Sequence, residues 1–231
     1  MAQYEVVTDA EGYDLRFRHP ASYMVCGNSQ AGKTTWVLNV LRQSKELFQN
    51  PKCMQNVIYF YNLWQDKFDH ADREGLVTEW IDEVPTKEII LEKTKDYKRD
   101  GGSVIVVDDQ VSNLKSNMVE IYTVLTHHLS CATFLLSQSL FPKVEAFRDI
   151  SKNCTYNVVF KTTRDFRQFR TLAQQIQPLH WRYLVDVYEK ECVRPYSYLL
   201  LDYDHRTPPL LQVRNNVLAS EGDMAIFRRK K

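Results

Sequence analysis

Hydrophobic positions along the chain fall into short solid runs separated by stretches with helical spacing. Ala21–Cys26, Asn56–Tyr61, Val104–Val107, Ala132–Leu136 and Tyr156–Phe160 are nearly uninterrupted apolar runs, the pattern of strands buried on both faces of a parallel sheet. From Lys33 to Phe48 the residues Trp36, Val37, Val40, Leu41 and Leu47 recur at the spacing of one helical face. Further helices are expected after Pro85-Thr86 through Ile89, Ile90 and Leu91, over Met118–Leu129, over Lys143–Ile150, over Asp165–Ile176 with Asp165 as N-cap, and over Trp181–Cys192. Alternating strands and helices predict an α/β fold with a sheet covered on both faces.

The two ends of the chain read differently. Tyr4–Val7 and Tyr13–Phe17 flank Asp9-Ala10-Glu11-Gly12 as a small N-terminal β-hairpin that Pro20 closes. Tyr198–Leu201 and Leu210–Val213 predict a terminal strand pair around Pro208-Pro209. There is no internal repeat and no long linker, so one domain is expected over 1–231: the hairpin in 1–20, a core in 21–192, and strands with a basic tail in 193–231.

With 231 residues, 44% hydrophobic and 26% charged, the chain has the make-up of a globular domain, which excludes disordered and collagen-like classes. No apolar stretch approaches the length of a membrane span, and the first residues lack a basic and apolar leader, so neither secretion nor membrane insertion is expected. Residues 1–227 carry 26 basic against 29 acidic side chains, net −3, so net charge gives no argument for a nucleic-acid partner. Five scattered cysteines without zinc spacing read as reduced thiols, which fits the cytoplasm or nucleus. His127-His128 reads as a helix end and not as a metal site.

The strongest chemical signal is Gly27-Asn28-Ser29-Gln30-Ala31-Gly32-Lys33-Thr34, a complete G-x-x-x-x-G-K-[ST] phosphate loop between a predicted strand and a predicted helix. Its backbone amides, with that of Thr35 in the first helical turn, form an anion nest on the helix dipole. Lys33 is expected to neutralise the β- and γ-phosphates of ATP, and the Thr34 hydroxyl to take one Mg²⁺ position. A second signal is Val104-Ile105-Val106-Val107-Asp108-Asp109, a buried strand delivering two carboxylates to the edge where ligands of open α/β sheets sit. Asp108 is the expected Mg²⁺ carboxylate, directly or through water. Asp109 stands where many ATPases carry a glutamate as the base for attacking water, one methylene longer. Thr133-Phe134-Leu135-Leu136-Ser137-Gln138 reads as another apolar strand and resembles the one that additional-strand ATPases place between those two, which makes Gln138 the candidate γ-phosphate sensor.

The order of these motifs, followed by Ser139-Leu140-Phe141-Pro142, Phe147-Arg148-Asp149-Ile150-Ser151-Lys152-Asn153, Val158-Val159-Phe160-Lys161 and Arg164-Asp165, resembles the viral genome-packaging ATPases of the FtsK–HerA superfamily, most of all the poxvirus-type and Polinton/adintovirus-type branch. The resemblance spans about residues 20–180. It implies a phosphate-loop NTPase with an additional strand, assembled as a homo-oligomeric ring (a pentamer or hexamer), that drives double-stranded DNA into a capsid. Capsid-vertex or portal proteins are the implied partners, and the host cytoplasm or nucleus, or the virion, the implied location. It also implies an arginine that reaches the neighbouring subunit's γ-phosphate, with Arg148 first and Arg164 second among the candidates.

DNA contacts are harder to place. Lys161, Arg164, Arg167 and Arg170 cluster beside Phe166 and Phe169, either as a phosphate-binding face or as a solvated helix face. The terminal Phe227-Arg228-Arg229-Lys230-Lys231 reads as a localisation patch, a DNA-binding tail or a solubilising tail. Trp36 and Trp181 fit helix core positions, while Trp64 is open between packing and stacking on adenine. Competing readings are a nucleoside or nucleotide kinase, which a test of acceptor substrates separates, and an ATP-binding structural capsid or assembly factor. A GTP-operated switch is disfavoured because no N-K-x-D string occurs and Asp108-Asp109-Gln110-Val111, at the strand end where a D-x-x-G switch would stand, lacks the glycine.

Overall fold

The computed structural model describes residues 3–110, 119, 122, 126–162 and 165–230. Its centre is one mixed ten-stranded sheet in the order β1-β10-β9-β8-β7-β2-β6-β5-β3-β4. The strands are β1 (Tyr4–Val7), β2 (Ala21–Cys26), β3 (Val57–Phe60), β4 (Glu79–Ile81), β5 (Ser103–Val107), β6 (Cys131–Ser137), β7 (Tyr156–Phe160), β8 (Tyr198–Asp202), β9 (Val213–Asn215) and β10 (Ala225–Arg229). From β7 to β4 all neighbours run parallel, and from β7 outward to β1 all run antiparallel. The solid apolar runs are the inner strands: every residue of β2, β3, β5, β6 and β7 is buried.

Alternate residues of those strands divide between two cores. Tyr23, Val25, Tyr59, Val106 and Phe134 face one side. That side is covered by α1 (Lys33–Arg42) and α3 (Asp66–Arg73), with the short α2 (Ser44–Leu47) beyond. Tyr23 there stacks between Phe134, at 4.2 Å between ring centres, and Tyr156, at 4.9 Å. Met24, Ile58, Ile105, Leu135 and Val159 face the other side, against α4 (Lys87–Thr94), α5 (Glu145–Lys152), α6 (Phe166–Ile176) and α7 (Trp181–Glu191).

Strand register is what builds the site. Cys26 pairs with Ser137, Val107 with Leu135 and Phe60 with Val107, so the residues that follow β2, β3, β5 and β6 emerge together at one sheet edge. β6 lies between β2 and β5, as expected of the added strand.

Several expectations are corrected. The N-terminal hairpin does not form: β1 pairs antiparallel with β10, Tyr4 opposite Arg229, while Phe17 makes a lone parallel bridge to Phe48. The basic tail is correspondingly a strand, with Ile226 and Phe227 buried and Arg228 paired with Glu11. Only Val213 of the run Leu210–Val213 is strand, because Pro209–Leu211 forms a 3₁₀ turn behind Pro208. The helix expected over 33–48 divides at Gln43. Asp165 precedes α6 without capping it, its carboxylate accepting instead from the side chain of Gln168. The helix expected over Met118–Leu129 lies mostly outside the described residues. Among the described residues no helix is long and apolar enough to cross a membrane.

Candidate active site

The phosphate loop leaves β2 at Gly27, whose amide donates to Ser137 O at 3.1 Å. No side chain fits there: a Cβ on Gly27 would lie 2.7 Å from Cβ of Phe160. Gly32 ends the loop in the left-handed region, at φ 102°, which lets the chain turn directly into α1. The first helical bond is Trp36 N to Gly32 O, so the amides of Lys33, Thr34 and Thr35 precede any intrahelical partner and stand free for an anion. Asn28, Ser29, Gln30 and Ala31 form the arch of the loop, with Ser29 and Gln30 exposed and Asn28 Nδ2 donating to Thr162 Oγ1 at 3.1 Å.

Lys33 is buried, and its ammonium donates to Gly27 O at 2.8 Å and Asn28 O at 3.1 Å. Burial lowers its pKa, and the carboxylates of Asp108 and Asp109 work against that. Thr34 Oγ1 donates to Asp108 Oδ2 at 2.8 Å, across 74 residues of sequence. The same oxygen accepts from Tyr59 OH at 2.7 Å. Burial raises the Asp108 pKa, while the Tyr59 and Thr34 hydrogen bonds hold it down. Two oxygen donors, a hydroxyl and a carboxylate, thus meet at the helix N-terminus, a set that fits a hard divalent cation such as Mg²⁺.

Asp109 turns out of β5 in the left-handed region, at φ 58°, an unusual backbone for a residue with a Cβ. Its exposed carboxylate accepts from Gln138 Nε2 at 2.8 Å. A cavity of about 600 Å³ opens over this pair, lined also by Asn62, Ser137, Ser139 and Lys143. A smaller one of about 290 Å³ runs from Gly27 and Asn28 to Gln138, Thr162 and Gln168.

The loop residues 27–35 therefore meet Asp108, Asp109 and Gln138 at one edge. Arg148 lies on α5, and its side chain is outside the described residues, as is the whole of Arg164. Arg170 is committed to a cation–π contact with Trp181, its guanidinium 4.9 Å from the ring centre, with Arg182 at 4.6 Å. Trp64 is tied into an aromatic cluster with Tyr61, Phe68 and Trp80 and donates to Asp69 at 2.9 Å, while part of its surface stays exposed. Three contributors were invisible in the motifs. Tyr59 sat inside an apolar run, and its hydroxyl matters only because β3 neighbours β5. Gln168 accepts from Ser139 Oγ at 2.9 Å and Leu140 N at 2.8 Å, and Thr162 receives Asn28; both depend on folding across long sequence distances.

No protein-family model matches the chain, and no curated protein matches it in sequence. Solved structures are similar to it. The genome packaging NTPase B204 from Sulfolobus turreted icosahedral virus 2 in complex with AMP aligns over 80% of this chain and 94% of its own, with a TM-score of 0.54 and 15% identity. The same protein in complex with ATP-gammaS gives 81%, 95%, 0.53 and 15% for the same measures. B204, the DNA-packaging ATPase from Sulfolobus Turreted Icosahedral Virus, aligns over 92% and 98% at a TM-score of 0.55 and 12% identity. The chain therefore has the mixed α/β fold of the phosphate-loop NTPases, in the form found in these genome-packaging proteins.

Proposed function

We propose that the chain is an ATP-hydrolysing motor that packages double-stranded DNA into a viral capsid. The observation that carries this reading is the Gln138–Asp109 hydrogen bond, which joins a strand-end carboxylate to an amide on the added strand beside the phosphate loop. Such a pair can hold and deprotonate a water at the γ-phosphate, which suits hydrolysis better than transfer to a kinase's acceptor. The similarity of the fold to B204 supports genome packaging as the work done.

In this mechanism the free amides and Lys33 bind the triphosphate, and Lys33 exchanges the carbonyls of Gly27 and Asn28 for phosphate oxygens. Thr34 and Asp108 would hold Mg²⁺, which when bound neutralises phosphate charge. Asp109 takes the proton of the attacking water while Gln138 orients that water. Arg148 from a neighbouring subunit stabilises the charge that develops, so a ring completes the site and an isolated subunit hydrolyses ATP poorly. Capsid-vertex or portal proteins would anchor the ring, in the host cell or on the virion.

The test is steady-state ATP hydrolysis with and without long double-stranded DNA, over protein concentrations that span assembly, with Lys33→Ala as control. The rate is expected to rise with both and to vanish in the control. A rate indifferent to DNA and to protein concentration overturns the motor and favours an ATP-binding assembly factor.

A further inference from the structure

The site's own geometry fixes which way a nucleotide lies. Asp108, Asp109 and Gln138 follow β5 and β6, which lie on one side of β2. The γ end of a triphosphate along the loop points to that side, so the base must leave toward β7 and β8. What stands there is the 193–197 loop between α7 and β8. Because β8 runs antiparallel to β7, with Tyr198 opposite Phe160, this loop reaches the same sheet edge as the phosphate loop.

The loop is pinned in place. Lys161 N donates to Ser197 O at 2.8 Å, Lys161 Nζ donates to Val193 O, and the Ser197 hydroxyl donates to Arg194 O at 2.5 Å. At its tip Tyr196 is 68% exposed and sits at φ 65°, a left-handed conformation that an aromatic residue rarely adopts. The ring does not turn into the core. It lies against the phosphate loop, where a Cβ on Gly32 would come 3.2 Å from its Cδ1. Among the described residues Tyr196 packs on no other aromatic ring, unlike Tyr198 two residues on, which meets Trp36 and Phe160.

We propose that Tyr196 is the platform on which the purine base of the bound nucleotide stacks. The proposal rests on the nucleotide reading of the phosphate loop and adds its base-binding side. Every base offers a π-face, so stacking on a tyrosine holds the base without reading its hydrogen-bonding edge. ATP and GTP should therefore depend on Tyr196 alike.

The experiment is calorimetric titration of the full chain with ATP, GTP and inorganic tripolyphosphate, for the wild type, Tyr196→Phe and Tyr196→Ala. Tyr196→Ala is expected to weaken both nucleotides by about five- to hundredfold. Tripolyphosphate binding should stay within about twofold, and Tyr196→Phe should match the wild type for all three ligands. Nucleotide affinity unchanged in Tyr196→Ala overturns the proposal, as does equal weakening of nucleotides and tripolyphosphate, which would mark a role in shaping the loop. A wild-type chain that binds none of the three overturns the nucleotide reading itself, a result distinct from either.

Discussion

Gln138 donates its side-chain amide to the carboxylate of Asp109 at 2.8 Å, although 29 residues separate them. The contact exists because β6 lies beside β5, and it fixes the orientation of the exposed carboxylate that follows β5. Asp109→Asn should lower kcat by about 10²- to 10⁴-fold while ATP affinity stays within a few-fold. Gln138→Ala should act on the same step, so the double variant is expected to be little worse than Asp109→Asn alone. Steady-state kinetics with parallel calorimetry decide this, and a fully active Asp109→Asn would remove Asp109 from the mechanism.

Tyr59 supports Asp108 from the neighbouring strand through its 2.7 Å hydrogen bond. Tyr59→Phe keeps the ring and deletes that bond, leaving the Thr34 hydroxyl as a side-chain donor to the Asp108 carboxylate. The Mg²⁺ concentration giving half-maximal hydrolysis should rise by about tenfold or more, as when an outer partner of a metal ligand is lost. A magnesium titration at saturating ATP reads the shift directly.

Gln168 is a positioning residue. Its Oε1 accepts from Ser139 Oγ and Leu140 N, and its Nε2 donates to Asp165, tying the segment after Gln138 to α6. In Gln168→Leu, kcat should fall by about tenfold at unchanged KM for ATP, since the phosphate loop is untouched. A change confined to thermal stability would show that Gln168 only braces the fold.

Arg214 is fully buried and donates to Asp202 and to Leu15 O. Arg214→Met leaves the Asp202 carboxylate buried without its cation, at a cost of about 3–5 kcal/mol. For a chain of this size that corresponds to a fall in Tm on the order of 10 °C, to be measured by calorimetry beside the wild type.

Asp204 gives an acid-side signature. Its hydrogen bond from Arg206 lowers the carboxyl pKa to about 2. A carboxyl depressed in the folded state contributes stability that is complete above its unfolded pKa near 4 and lost as pH falls toward 2. Asp204→Asn should flatten the pH dependence of stability in that window and leave the dependence above pH 5 unchanged, as read by urea denaturation across pH.

The inner strands and the phosphate loop were legible because each carries a local pattern: a buried parallel strand must be apolar throughout, and a phosphate cradle needs Gly27 and Gly32 where the backbone is crowded or left-handed. Strand partners carry no such pattern. Tyr4–Val7 alternates like any antiparallel strand, and nearby Gly12 suggested a partner ten residues away when the real one is β10. Arg228, Arg229 and Lys230 hid that strand, whose apolar content amounts to Ala225, Ile226 and Phe227. Tyr59, Gln168 and Tyr196 owe their places to strand neighbours, and no linear motif marks them.

The pairing of β1 with β10 also bears on how the molecule is made. During synthesis Tyr4–Val7 leaves the ribosome long before Ala225–Arg229, the strand that pairs with it. Until then its backbone donors and acceptors form an open edge, a template for another chain's β10. High contact order of this kind slows folding and lengthens exposure. Crowded nascent chains therefore have a route to exchange their outer strands, yielding domain-swapped dimers whose nucleotide edges are intact and whose outer sheet is shared.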